Sequence, residues 1–195
     1  MCGVTKPIVP PSDIPVLTAP QVKALLATCA GKDAESRRDY ALLTIMLDTG
    51  LRLSEIASLT IFDINEHATL RVLGKGRKWR TVALGTTSTT ALTRWMRLRT
   101  TTHDSLWSGR KGALTTEGIR KMVKRRGQQA GFHLHPHMLR HTFVDNWLRN
   151  GGAEVDLARL AGWTTTRMAE RYAQHHAEER AVTAHKSVAP LDSLT

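Results

Sequence analysis

The feature that most limits how this chain can fold is a change of hydrophobic period about one third of the way along it. On either side of that region apolar residues recur every three or four positions, the spacing of one helical face. Within it, Ile61–Ile64, Thr69–Leu73 and Trp79–Leu84 are short apolar or alternating runs of the kind that form strands. Gly74-Lys75-Gly76-Arg77-Lys78 joins the last two as a glycine-rich hairpin tip. The expected fold is therefore mainly α with a small three-stranded antiparallel β-sheet, an α+β domain.

The helices carry their own punctuation. Thr18 and Gln21 form a capping box ahead of a helix bearing Val22, Leu25 and Leu26. A second helix is predicted over Arg37–Thr49, with Tyr40, Leu43, Ile45 and Leu47 apolar, Tyr40 in the core and Gly50 as a left-handed cap. A short third helix starts near Leu53 and carries Glu55, Ile56 and Leu59. After the sheet, helical spacing returns over Thr89–Leu98, Thr116–Ala130, Leu139–Leu148, Val155–Ala161, Thr165–Tyr172 and Ala177–Lys186. Residues 1–17 contain Pro7, Pro10, Pro11 and Pro15 and read as a linker or extended N-terminal segment. Residues 18–186 make one domain and 187–195 a C-terminal tail, with no internal repeat and no low-complexity block.

Composition narrows the function class. No run of apolar residues is long enough for a bilayer and the N-terminus lacks the pattern of a secretory signal, so a cytoplasmic location is expected. Cys2 and Cys29, without CxxC spacing, offer neither a disulfide framework nor a zinc finger. Twenty-eight Lys and Arg stand against 17 Asp and Glu, a net charge of +11 that favours a polyanionic partner.

Four local patterns carry chemistry. In Thr49-Gly50-Leu51-Arg52-Leu53-Ser54-Glu55, Arg52 lies at the mouth of a helix, a place suited to a phosphate oxyanion, and Glu55 one turn on could hold it. Taken alone, the two read more readily as a surface ion pair. The tip Lys75, Arg77, Lys78 and Arg80 is a plausible phosphate contact or a solvated turn. In His137-Met138-Leu139-Arg140-His141, helical spacing puts His137, Arg140 and His141 on one face and Leu139 towards the core. His133, His135 and His137 could form a zinc site, but no carboxylate or thiolate nearby would complete it. Tyr172, one of two tyrosines, ends a helix of mixed polarity, where it could serve a site or edge the core.

In combination and order, TGLRxSE, the basic hairpin, HxLRH, LxGW and a tyrosine nine residues after that tryptophan resemble the active-site pattern of the tyrosine recombinase (phage integrase) family, over residues 17–172. The resemblance implies that family's catalytic-domain fold, with Arg52 and Arg140 as phosphate-clamping arginines, Lys75 as the hairpin lysine, His137 as the motif histidine and Tyr172 as the nucleophile. Glu55 would support Arg52, and Arg77, Lys78, Arg80 and His141 would contact DNA. Trp163 stands where most members have His, a Cre-like variation; its indole can donate a hydrogen bond but cannot exchange a proton. Acid–base work then falls on Lys75 and His137.

The implied activity is site-specific DNA recombination, in a phage integrase, through a 3′-phosphotyrosyl intermediate that preserves phosphodiester energy. It needs neither metal, ATP nor another cofactor. Double-stranded DNA is the expected partner, with a homotetramer on DNA for a full-length protein and a monomer for this chain alone. The linker-like start suggests a catalytic fragment or the second half of a clamp. A type IB topoisomerase-like enzyme and a non-catalytic DNA-binding relative are the alternatives.

Overall fold

The computed structural model describes residues 14–163 together with 165, 166, 170, 172, 181, 182 and 185, with the Lys75 side chain left out. The predicted segment 1–17 falls mostly outside them, as do half of the predicted helix 165–172, most of 177–186 and all of the tail. The elements run α1 (Ala19–Ala27), α2 (Ala34–Thr49), α3 (Leu53–Ala57), β1 (Ile64–Asn65), β2 (Thr69–Leu73), β3 (Trp79–Ala83), α4 (Thr86–Leu98), β4 (Ser108–Gly109), β5 (Gly112–Ala113), α5 (Thr116–Gln129), α6 (Pro136–Arg149) and α7 (Glu154–Ala161). The three-stranded sheet is antiparallel in the order β1-β2-β3, with Val72 opposite Arg80 and Leu70 opposite Val82. No described helix is long and apolar enough to cross a membrane.

Helix α2 is the axis of the domain, packing against α4, α6 and α1. Its Ala41, Leu42, Leu43, Ile45 and Met46 are buried, and each large side chain so removed from water contributes roughly 1.5–3 kcal/mol. Ile56 of α3, Leu70, Val72 and Val82 of the sheet, Trp95 of α4 and Ile119 and Val123 of α5 complete one core. Both buried indoles find acceptors: Trp95 Nε1 donates to the Leu106 carbonyl and Trp107 Nε1 to that of Ile56. A smaller cluster of Phe143, Val144, Leu148 and Leu157 joins α6 to α7 and reaches Trp163 and Tyr172. Tyr40, expected inside, packs half-buried against the main core.

Several boundaries differ from the sequence expectation. The predicted strand at residues 61–64 is mostly a 3-10 turn, Ile61–Asp63. Asp63 accepts hydrogen bonds from both the backbone N–H and the hydroxyl of Thr60, which closes that turn and leaves two residues for β1. Helix α2 begins three residues early because Asp33 caps it, accepting from the Ser36 N–H at 2.9 Å. Helices α4 and α6 also start early, α6 at Pro136, a residue suited to the first helical turn. The hairpin β4–β5 was not anticipated.

A buried ionic knot links α2 to α5. The Asp39 side chain is fully buried and accepts from Arg38, Arg125 and Arg126, with bonds of 2.6, 2.7 and 2.9 Å. Arg38 also donates to the Ser108 carbonyl and Arg126 to that of Thr28, so the knot ties down the β4 turn and the end of α1.

Candidate active site

The last residues of α7 collect three arginines from three other elements. Arg80 Nε, from β3, donates to the Leu160 carbonyl at 2.8 Å. Arg140 Nη2, from α6, donates to the Ala161 carbonyl at 2.9 Å, and Arg52 Nη2, at the mouth of α3, to the Gly162 carbonyl at 3.2 Å. Carbonyls at a helix C-terminus lack intrahelical partners and carry the negative end of the helix dipole, so they receive cations well. Gly162 caps α7 in the left-handed conformation, with φ 64°, and a Cβ there would come within 3.1 Å of Arg80 and 3.3 Å of Arg52. This gives the LxGW motif a physical role: two of its carbonyls and the one between them aim the cations.

Arg140 is held a second time, by the Gly50 carbonyl at 2.5 Å, so the C-terminal ends of α2 and α7 both point at it. Gly50 adopts φ 59°, and the Phe143 ring occupies the space a Cβ would need. Burial first, and then the charge of Arg52, lower the Arg140 pKa to about 10, which still leaves it cationic at neutral pH. Each guanidinium has more N–H groups than these bonds use, so Arg52 and Arg140 can both donate to an oxyanion seated between them.

Glu55 is the hub behind Arg52. Its buried carboxylate accepts from the Arg52 backbone N–H at 2.9 Å, from Arg52 Nη1 at 3.0 Å, and from both terminal nitrogens of Arg80 at 2.9 and 2.8 Å. Burial alone would raise the Glu55 pKa, but Arg80 and Arg52 outweigh it and hold the carboxyl below its ordinary range. The Arg80 side chain, expected on DNA and 13% exposed, turns inward onto Glu55 and Leu160. The strand period carried that signal, because Arg80 shares a face with buried Val82.

Tyr172 lies half-buried beside this clamp. Its ring stacks on Trp163 with centroids 6.1 Å apart and planes 17° from parallel, and the Arg140 guanidinium lies 5.4 Å from the centre of the Trp163 ring. The Tyr172 hydroxyl is 3.1 Å from Nδ1 of His141, a residue expected on DNA. His137, His135 and His133 continue as a row, with successive ring centroids 6.2, 6.5 and 6.1 Å apart. His137 is exposed and, with Arg52 and Arg140, lines a cleft that α5 closes with Thr116 and Arg120, two residues the sequence reading missed. Among the described residues no three His, Cys, Asp or Glu side chains converge to hold a metal ion.

The hairpin tip stands out from the sheet. Lys75 opens a 3-10 turn whose backbone is described, but its side chain lies outside the described residues. Arg77 and Lys78 are exposed, and Arg77 takes φ 58°, a conformation most side chains avoid. On the hairpin itself the Arg71 guanidinium sits 4.1 Å over the exposed Trp79 ring, a cation and a flat apolar surface side by side that the sequence reading did not single out.

Known proteins resemble this chain in both sequence and fold. Tyrosine recombinase XerC of Corynebacterium efficiens is 33% identical over 171 residues, covering 84% of this chain and 54% of that protein. XerC of Pseudomonas aeruginosa is 37% identical over 153 residues, 75% of this chain and 50% of that one. The chain thus spans about half the length of the curated relatives it matches. Among solved structures, the XerA recombinase superposes with a TM-score of 0.77 at 25% identity, over 93% of this chain and 66% of the other. The model of the phage integrase family matches residues 15–179. By that match over most of its length, the chain belongs to the phage integrase family.

Proposed function

We propose that this chain cleaves and rejoins DNA strands as the catalytic domain of a site-specific recombinase, with Tyr172 as nucleophile. The observation that carries the reading is the convergence at the end of α7: two aimed guanidiniums, Arg52 and Arg140, with a tyrosine stacked beside them on Trp163. A scissile phosphodiester seated between the arginines would place the negative charge that builds on its non-bridging oxygens against fixed donors. Trp163 can add an N–H to one of those oxygens, and exposed His137 can reach the phosphate from the cleft. Tyr172 attacks phosphorus, the bond to the 5′-oxygen breaks, and Lys75 on the hairpin tip supplies the proton to that leaving oxygen. The 3′-phosphotyrosyl ester keeps the energy of the broken bond, so a second strand's 5′-hydroxyl rejoins it without ATP.

Double-stranded DNA is the partner, bound by the net charge of +11 and by Arg77 and Lys78. The relatives called tyrosine recombinases and the phage integrase family description both support DNA recombination, and exchange between specific sites in integrating a phage genome is the biological role proposed. On DNA the full-length protein works as a homotetramer, whereas this chain alone is a monomer acting in the cytoplasm. The test is covalent capture on a panel of nicked duplexes. Wild-type chain should leave a denaturant-resistant, protease-sensitive adduct on the 3′-phosphate side of the break in the presence of EDTA, and Tyr172→Phe should leave none while binding DNA as before. An adduct persisting in Tyr172→Phe would overturn the assignment of the nucleophile.

A further inference from the structure

We infer that His141, not His137, receives the Tyr172 proton as the tyrosine attacks; the inference rests on the reading of Tyr172 as nucleophile. His141 Nδ1 lies 3.1 Å from the Tyr172 hydroxyl, within the reach required of a general base. His137 is one helical turn away and exposed, and its ring centroid is 6.2 Å from that of His141. Trp163, the other ring against Tyr172, has only an N–H donor and cannot accept a proton. His141 follows Arg140 directly on α6, so one helix carries both the phosphate clamp and the group that touches the nucleophile.

The charge around His141 suits the role. Burial first, and then His137, His135 and Arg140, push the imidazole pKa down to about 4, so at neutral pH it is uncharged and keeps a lone-pair nitrogen. Such an imidazole is a weak base while the site is empty. A phosphodiester drawn into the Arg52–Arg140 clamp brings negative charge next to it, and an opposite charge at that range favours the protonated ring. The substrate itself strengthens the base. In the step, the Tyr172 O–H bond breaks and its proton passes to Nδ1. The phenolate oxygen bonds to phosphorus, the 5′-oxygen leaves and is protonated by Lys75, and the imidazolium holds the proton. Rejoining runs in reverse, with the imidazolium returning the proton to the departing tyrosine. His137 is then a phosphate contact.

The experiment measures single-turnover adduct formation by the full chain on a nicked duplex, with His141→Gln and His141→Asn as parallel variants and His137→Gln as comparator. Failure of the wild-type chain to form any adduct would count against the recombinase reading itself. Given a wild-type adduct, either folded His141 variant should cleave about 100-fold more slowly or worse, with DNA affinity unchanged. Replacing Tyr172 in that variant by a fluorinated tyrosine, whose phenol ionises near neutral pH, should restore most of the rate, because such a phenol needs no base. The same replacement should give His137→Gln no comparable recovery. Wild-type or faster cleavage by the His141 variants would make the contact a resting contact of the free protein, and a defect that the acidic phenol leaves untouched would make His141 structural. Either result overturns the inference.

Discussion

Replacing Arg80 by methionine keeps most of its volume and separates a brace from a DNA contact. In the structure the guanidinium donates two charge-assisted hydrogen bonds to the buried Glu55 carboxylate and one to the Leu160 carbonyl. Bonds to charged groups contribute about 1.5–3 kcal/mol each, and removing one partner of a buried ion pair costs about 3–5 kcal/mol when nothing compensates. Glu55 keeps the Arg52 guanidinium and backbone N–H, so the lower end applies, about 3 kcal/mol. For a chain of this size that is a fall in Tm of about 6–12 °C, read by thermal and urea denaturation. A phosphate contact has another signature: its loss lowers the slope of log K against log salt by about 0.9 with little effect on stability. The slope should stay unchanged for Arg80→Met, and the double variant with Glu55→Gln should cost less than the sum of the two singles. Wild-type stability with a salt slope lowered by about one would refute the bracing role and return Arg80 to the DNA surface.

Other outcomes follow from the same geometry. Lys75→Ala should slow cleavage of ordinary DNA by about 100-fold and recover on a substrate with sulfur at the 5′-bridging position, since a thiolate leaves without a proton; equal defects on both would leave Lys75 a binding residue. Asp39→Asn should lose about 3–5 kcal/mol in urea titrations, because the buried Arg38 and Arg126 lose the carboxylate charge between them. The folded pKa of His141 is depressed, so the unfolded chain binds the extra proton and stability should fall as pH drops from about 6.5 towards 4. Glu55, also depressed, contributes stability above its unfolded value that is lost as pH falls through its folded pKa. Denaturation midpoints across that range should flatten in the upper window for His141→Gln and at the acid end for Glu55→Gln.

Much of the fold was legible because its signals are local. The Thr18 capping box, the Gly50 cap and the β2–β3 hairpin each follow from a few neighbouring residues. The 3-10 turn at Ile61–Asp63 was not, since an apolar pair gave it the look of a strand while its Thr60–Asp63 bonds are a capping arrangement. Strands of two residues such as Ser108–Gly109 have no period to read. At the site, the order of Arg52, His137, Arg140 and Tyr172 along the chain pointed to a family pattern, and the structure sets Arg52, Arg140 and Tyr172 around the end of α7 with His137 in the cleft beside the arginines. What spacing could not supply is direction. That His141, one residue past the clamp arginine, meets Tyr172 depends on how the segment after α7 returns to α6, a long-range contact that no helical period encodes.

The three carbonyls at the end of α7 have a consequence for the order in which the protein is made. Arg52, Arg80 and Arg140 are all synthesised before Leu160, Ala161 and Gly162, which aim them. A product of interrupted translation that stops short of residue 160 carries every clamp arginine and no acceptor at that end to set it. Such a fragment should attract DNA by charge alone and offer no shaped seat for a phosphate. Tyr172 follows closely on these carbonyls in the chain, so the acceptors that aim the arginines and the tyrosine proposed as nucleophile join the domain together.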